Sequence, residues 1–219
     1  MTHPLWPLFD LRLRTPRLEL RLPTDDDLVQ LAAVAKAGIH PPDEMPFAVP
    51  WSILPTPDFE RNFVRFHWGL RAGWSVEDWG LDLGVFLDGR PIGVQGLYAR
   101  GFSVLRTVHT GSWLGAPYQR RGLGTDMRAA ILSLAFDGLG AEVAETEAFL
   151  DNAASAGVSR RLGYEDDGLG RRAPQGIARD VRRFRLTAER WRTVEHPEIQ
   201  IVGLEGCREL FDRRPPGAP

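Results

Sequence analysis

The chain has 219 residues, a formal net charge of −2 and 43% hydrophobic residues, which allows one substantial core and leaves two full domains as a squeeze. The near-neutral balance argues against a protein whose main task is gripping nucleic acid or an anionic membrane. The single cysteine, Cys207, excludes an internal disulfide and a Cys-cluster metal site and fits a reducing cytoplasm.

Of the 27 basic residues only Lys36 is a lysine, which reads as a codon bias before it reads as a design. No export signal stands at the start and no stretch reaches the ~18 uninterrupted apolar residues of a membrane span, so a cytoplasmic location is expected.

Residues 11–22 alternate apolar and charged over most of their length and predict one half-buried strand. Thr24 ahead of Asp25, Asp26 and Asp27 is an N-cap with a carboxylate three residues on, so a helix is expected from Asp25 to about Ala37, ended by Gly38. Residues 39–57 are rich in Pro and aromatics and predict an ordered loop lining a site. Phe59, Phe63, Phe66 and Leu70 then recur at helical spacing behind a Thr56 cap, as a core stripe. Asp88-Gly89 between two apolar runs predicts a hairpin, and a third strand ending near Gly115 completes an antiparallel meander.

After the meander come Gln119-Arg120-Arg121-Gly122-Leu123-Gly124, then a helix from Thr125 to about Phe136. A strand delivering the chain into a glycine loop that opens a helix aims backbone N–H groups and the positive end of the helix dipole at one spot, which suits a phosphate. The Gly-Lys-Ser/Thr of a Walker loop is absent, and the antiparallel strands ahead of the loop disfavour a dinucleotide-binding Rossmann unit. A strand from about Glu142 to Leu150 and an Asn152-capped helix stopped at Gly163 follow. Tyr164 to Gly168 and Val181 to Leu186 predict a strand pair, Thr187 caps a short turn through Trp191, and Glu198 to Val202 predicts one more strand, a candidate oligomer interface. Pro215 to Pro219 is expected to be disordered.

This order of elements, with Gln-x-x-Gly-x-Gly at Gln119–Gly124 and Asn152, Ser155, Val158, Gly163 and Tyr164 matching Asn-x-x-Ser-x-x-Val-x-x-x-x-Gly-aromatic, resembles the GNAT family of acyl-CoA-dependent N-acyltransferases. The Ser155 form of the second motif and Thr15-Pro16-Arg17-Leu18 look like the RimJ/RimL branch, which acts on protein N-termini and small amines. Trp6–Leu11, Met45–Trp51, Gly111–Gly115 and Ser159–Arg161 are similar to a succinyl-CoA-associated mycobacterial member.

The resemblance implies a mixed α+β fold: a largely antiparallel sheet of about six or seven strands, splayed at the acyl-CoA site, with about four helices. It spans residues 11–192, with 1–10 as an extension and 193–219 as a C-terminal strand and tail. It implies transfer of an acetyl or succinyl group from CoA to a primary amine of a small molecule, protein N-terminus or lysine, without metal or nucleic acid. The diphosphate would rest on Arg121, Gly122, Leu123, Gly124 and Thr125, with Gln119 and Arg120 beside them. Pantetheine would pair with the free edge at Trp113, Leu114 and Gly115, where the family's strand carries a bulge. Near Leu114 a backbone N–H would serve the oxyanion. Glu147 is a candidate general base against the alternative of a solvated strand residue, and Asn152 either caps its helix or also holds pantetheine. Where many members carry a tyrosine acid this chain has Ser159, so Ser155 becomes the candidate for the CoA sulfur. A weakly catalytic acyl-CoA sensor is the rival reading. His40, His67 and His109 share no ligand spacing and are read as structural.

Overall fold

Asp88 and Gly89 both take positive φ, 51° and 76°, the two-residue turn whose twist matches that of its strands. It joins the two longest strands of the molecule. In the computed structural model, which describes residues 3–212, they lie at the middle of a nine-stranded sheet. The strands are β1 (Arg12–Arg14), β2 (Glu19–Arg21), β3 (Asp78–Leu87), β4 (Arg90–Arg100), β5 (Thr107–Leu114), β6 (Val143–Phe149), β7 (Glu165–Arg172), β8 (Arg179–Thr187) and β9 (Gln200–Val202). Their spatial order is β7-β8-β6-β5-β4-β3-β2-β1-β9. Every pairing is antiparallel except β5 with β6. The helices are α1 (Asp25–Lys36), α2 (Asp58–Ala72), α3 (Phe102–Leu105), α4 (Leu123–Ser133), α5 (Ala153–Arg161) and α6 (Ala188–Trp191).

The mixed α+β class stands, with more strands than expected. Residues 11–22 form a hairpin, not one strand, because Pro16 removes a donor and the Thr15 hydroxyl accepts from the N–H groups of Arg17 and Leu18, turning the chain. The C-terminal strand β9 pairs antiparallel with β1 of its own chain, Leu13 opposite Ile201. One of its edges is therefore spent internally, and the oligomer role drawn from sequence has only the other. Leu8, Leu204, Cys207 and Phe211 join the same core as the central strands, so the segments flanking residues 11–192 pack as part of the body. The expected disorder at 215–219 lies outside the described residues.

Local chemistry explains the helix boundaries. Thr24 and Asp27 form a full capping box, and Arg21 grips both Asp27 oxygens. Burial pushes the Asp27 carboxyl up, but the bonds from Arg21 and Thr24 outweigh it and hold it below the usual range. Thr56 does not cap α2; its hydroxyl donates to Glu60, and Pro57 occupies the cap position without a side-chain bond. The buried stripe of α2 is Phe59, Phe63 and His67, while Phe66 is exposed, because spacings of four keep closer to one face than the Phe63-to-Phe66 step. Helix α4 starts at Leu123, two residues before the expected Thr125, and relaxes into a wider π turn over Leu134–Gly138.

The sheet has two working faces. On β4, Val94 packs with Leu28, Leu31, Phe59 and Phe63 of α1 and α2, whereas the next residue, Gln95, is met by Arg128 of α4. Alternating side chains point to opposite faces, so α1 and α2 cover one face and α4 the other. Among the described residues no helix is long and apolar enough to cross a membrane.

Beneath α2 lies a closed polar cluster. Tyr98 on β4 donates its hydroxyl to Asp82 on β3, and His67 Nδ1 stands 3.8 Å from the other Asp82 oxygen. Gly96 makes room for this: a Cβ there would fall 2.3 Å from the Tyr98 hydroxyl and 2.6 Å from Asp82 Oδ1. Burial lowers His67 to about 4 and raises Asp82 to about 6, the latter opposed by the Tyr98 bond. The two have opposite linkage. His67 stability is present above its ordinary pKa and is lost as pH falls toward about 4. Asp82 stability is present at low pH and is lost as pH rises through about 6. Between these limits the slopes oppose each other. Asp82→Asn keeps an acceptor for Tyr98 and removes one slope, so urea midpoints of the variant should fall more steeply than wild type from pH 6.5 to pH 4.5. Parallel curves would show that His67 and Asp82 do not titrate as described.

Candidate active site

The site begins where β5 and β6 part. They pair in parallel over only three rungs, Thr107–Val143, Val108–Ala144 and His109–Glu145. Beyond these, β5 follows β4 through Leu114, and β6 follows β8 through Phe149. The two strands open like a V. Its apex is closed by side chains: Thr146 donates to the Thr110 carbonyl at 3.0 Å, and the Thr110 hydroxyl lies 3.3 Å from that of Tyr164.

Along β5 the register with β4 runs unbroken from His109 to Leu114, so the bulge expected from the family is absent; the register shifts of the sheet fall in the β3–β4 and β7–β8 pairs. Gly115 donates its N–H to Ile92. The alternation of an antiparallel ladder then turns the backbone groups of Trp113 toward β4 and those of Ser112 and Leu114 into the V. The free edge expected at Trp113, Leu114 and Gly115 is thus presented by Leu114 and, one rung deeper, by Ser112, which the sequence reading missed. Trp113 instead packs its ring 5.8 Å from Trp51 and 6.2 Å from Phe63 on the α1/α2 face.

The glycine loop is shaped by two left-handed residues, Arg120 (φ 59°) and Gly122 (φ 78°), an alternation that turns successive N–H groups to one side. Gly122 is the N-cap of α4, with no side-chain cap bond, which leaves the helix N-terminus to an external acceptor. The Thr125 N–H, expected to join the set, bonds the Gly122 carbonyl instead at 3.1 Å. Arg120, Arg121 and Gly122 are exposed and Gly124 is half-buried. Leu123 is buried, anchoring the turn. Arg17, from the β1–β2 turn, braces the loop through the Arg121 carbonyl (3.0 Å) and Asp126 (2.8 Å); nothing local in the sequence signals it. Gln119 is also a brace: its amide donates to Leu114 O at 2.8 Å and Ile39 O at 2.6 Å, and so is not turned to a ligand.

Opposite the loop, Asn152 Oδ1 accepts the Ser155 N–H at 3.0 Å and caps α5. Ser155 is half-buried, and its carbonyl accepts from Ser159 Oγ. Ser159 is fully buried, so at the position of the family tyrosine there is no acid at the surface of the V. Glu147 lies on the α1/α2 face of β6, with both oxygens held by Arg172 at 2.7 and 2.5 Å. Arg172 thus occupies both oxygens of the candidate base.

Arg128 is the least expected residue of the site. It is 4% exposed, and donates to Ser112 Oγ at 3.0 Å, with Thr146 Oγ1 and Gln95 Oε1 at 3.5 and 3.4 Å. Among the described residues no carboxylate pairs with it. Burial lowers its pKa, opposed by Tyr164, while burial raises Tyr164, opposed by Arg128 and the Thr110 bond. A lone charge in the apolar run from Met127 to Phe136 was its visible signal.

The loop of residues 39–57 packs on the α1/α2 face beside Trp113. Trp51 sits among Phe47, Phe59, Phe63 and Trp113, and Arg179 at the start of β8 holds the Met45 carbonyl and Asp151. No cluster of three His, Cys, Asp or Glu side chains that could hold a metal occurs among the described residues. Gly122→Ala would strain a φ of 78° and put a Cβ 3.1 Å from Arg17 Nη2; CoA affinity by calorimetry should drop at least about tenfold with little change in far-ultraviolet circular dichroism. Unchanged affinity would remove the anion cradle from this loop.

Solved structures share this architecture. Mycobacterium smegmatis RimJ in complex with CoA-disulfide aligns with a TM-score of 0.67 at 20% identity, over 92% of this chain and 94% of that one. RimL, a ribosomal L7/L12 alpha-N-protein acetyltransferase in complex with coenzyme A, aligns with a TM-score of 0.63 at 17% identity, over 79% and 95%. The microcin C7 self-immunity acetyltransferase MccE, in complex with acetyl-CoA and AMP, aligns with a TM-score of 0.61 at 16% identity, over 78% and 93%. At such identities the likeness is one of fold. The family model of the acetyltransferase (GNAT) domain matches residues 17–165, and the chain belongs to that family.

Proposed function

We propose that this protein transfers an acyl group from CoA to a primary amine, by direct attack of the amine on the thioester in a ternary complex. The observation that carries the reading is the V between β5 and β6, whose Ser112 and Leu114 backbone groups face inward above the loop of Arg120 and Gly122. The loop N–H groups would hold the diphosphate, with Arg120 and Arg121 adding charge-assisted bonds. The strand edge at Ser112 and Leu114 would pair with the pantetheine amides, as an added strand does, and one of these N–H groups would stabilise the oxyanion. Asn152 and Ser155 line the other wall, and Ser155 is the group left to protonate the leaving thiolate. Likeness to the RimJ/RimL fold favours a protein N-terminus as acceptor. Incubation with acyl-CoA and a panel of amines, including peptides with free N-termini, should release CoA thiol; tight acyl-CoA binding without thiol release would favour a sensor.

Arg128 supports a second reading, in which the acyl group is succinyl. A buried guanidinium without a carboxylate partner, bonded to Ser112 at 3.0 Å, suits an anion at the closed end of the V. Arg128→Gln should then lower the rate with succinyl-CoA at least about tenfold more than the rate with acetyl-CoA. Equal losses would leave Arg128 as a purely structural wedge.

A further inference from the structure

We infer that His109, backed by Glu145, is the general base that strips the proton from the incoming amine, an assignment that rests on the transferase reading above. The amine arrives as an ammonium and must lose a proton before it attacks. The carboxylate expected to take it, Glu147, is clamped by Arg172. On the same face, one rung before the strands part, His109 of β5 stands beside Glu145 of β6, with Nδ1 and Oε2 3.4 Å apart. That contact leaves Nε2 as the nitrogen facing outward. The imidazole is 59% exposed, and it lines a groove of about 580 Å³ together with Leu70, Gly80, Tyr98, Leu105 and Thr107. The groove runs under the end of α2 across β3 and β4 and ends at His109, on the last rung that β5 shares with β6. Its lining mixes Leu70, Trp79 and Leu105 with Thr107 and the Asp78–Arg100 ion pair, a fit for an extended chain carrying an amine.

Other polar and charged groups lie near the imidazole. Tyr98, its cross-strand neighbour on β4, gives its hydroxyl to Asp82, which also faces His67 of α2. Arg185 of β8 lies directly opposite Glu145 and shares its face of the sheet, so Glu145 stands between His109 and Arg185. An imidazole is the side chain whose ordinary titration falls in the physiological range. In the reaction His109 accepts one proton from R–NH₃⁺ at the groove mouth. The amine nitrogen then forms its bond to the thioester carbon as the C–S bond breaks, the second proton shed by that nitrogen passes by way of Ser155 to the thiolate to give CoA thiol, and imidazolium returns the first proton to water. Glu145 is a positioning residue, fixing the ring so that Nε2 meets the amine.

The test is steady-state kinetics on the full chain with acyl-CoA and an accepted amine. His109→Ala should lower kcat on the order of 100-fold near pH 7, flatten the acid side of the pH–rate profile, leave acyl-CoA affinity by calorimetry unchanged, and recover part of its rate with added imidazole. His109→Gln, which keeps the bulk on an exposed strand position, should show the same loss. Glu145→Gln should lower kcat with the KM for acyl-CoA unchanged, and Glu145→Asp should restore part of it. A wild-type enzyme that turns over while folded His109→Ala matches its rate and pH profile would overturn the base assignment alone. A wild-type protein that releases no thiol with any amine would overturn the transferase reading, and this inference with it.

Discussion

Two parallel strands that pair for three rungs and then separate leave backbone groups inside the molecule with no partner strand, and buried peptide groups do not go unpaired at small cost. Everything distinctive about this protein answers that problem. At the apex the protein supplies its own partners, with Thr146 on the Thr110 carbonyl and Thr110 against Tyr164. Arg128 enters from below to reach both Ser112 and Thr146, so one guanidinium spans the two diverging strands. Further out, Gln119 takes the Leu114 carbonyl. What remains is a short strand edge at Ser112 and the Leu114 N–H, turned into the V.

The two faces of the sheet divide the work. The glycine loop at Arg120 and Gly122 and the helices α4 and α5 lie together, so a long, charged cofactor held as proposed would meet helix N-termini and arginines. The other face carries the aromatic group around Trp51 and Trp113 and the groove that ends at His109. Aromatic pairs of this kind each add about 0.5–1.5 kcal/mol beyond area burial, which favours an ordered wall over a loose lid. At the divide, β5 turns the side chain of Ser112 to Arg128 on one face and that of Trp113 to Trp51 on the other.

Most of this was written in short-range signals. Asp88-Gly89, the Thr24 capping box, Asn152 as a cap and the glycine loop all act within a few residues, and each forms as its local chemistry dictates. What was not legible depends on distant partners. Glu147 reads as a free carboxylate until Arg172, 25 residues on, closes over it. Gln119 reads as a ligand residue until Ile39, 80 positions earlier, claims its amide. Arg17 lies 109 residues from Asp126, and no spacing rule joins them. Ser112 was missed for another reason: which backbone groups face the V depends on ladder parity, and the motif centred on the glycines does not carry that information.

Gln119 has a further consequence. One primary amide holds the end of β5 and the start of the segment that carries Trp51, while Ala116 ties the same two regions through Gly38. The glycine loop and the aromatic cover are therefore geared to each other, although they serve different ligands on different faces. If the loop holds the cofactor as proposed, a molecule seated there would bear, through these bonds, on the segment that carries Trp51. Substrate order in such an enzyme would then lie partly with one amide that touches neither reacting atom.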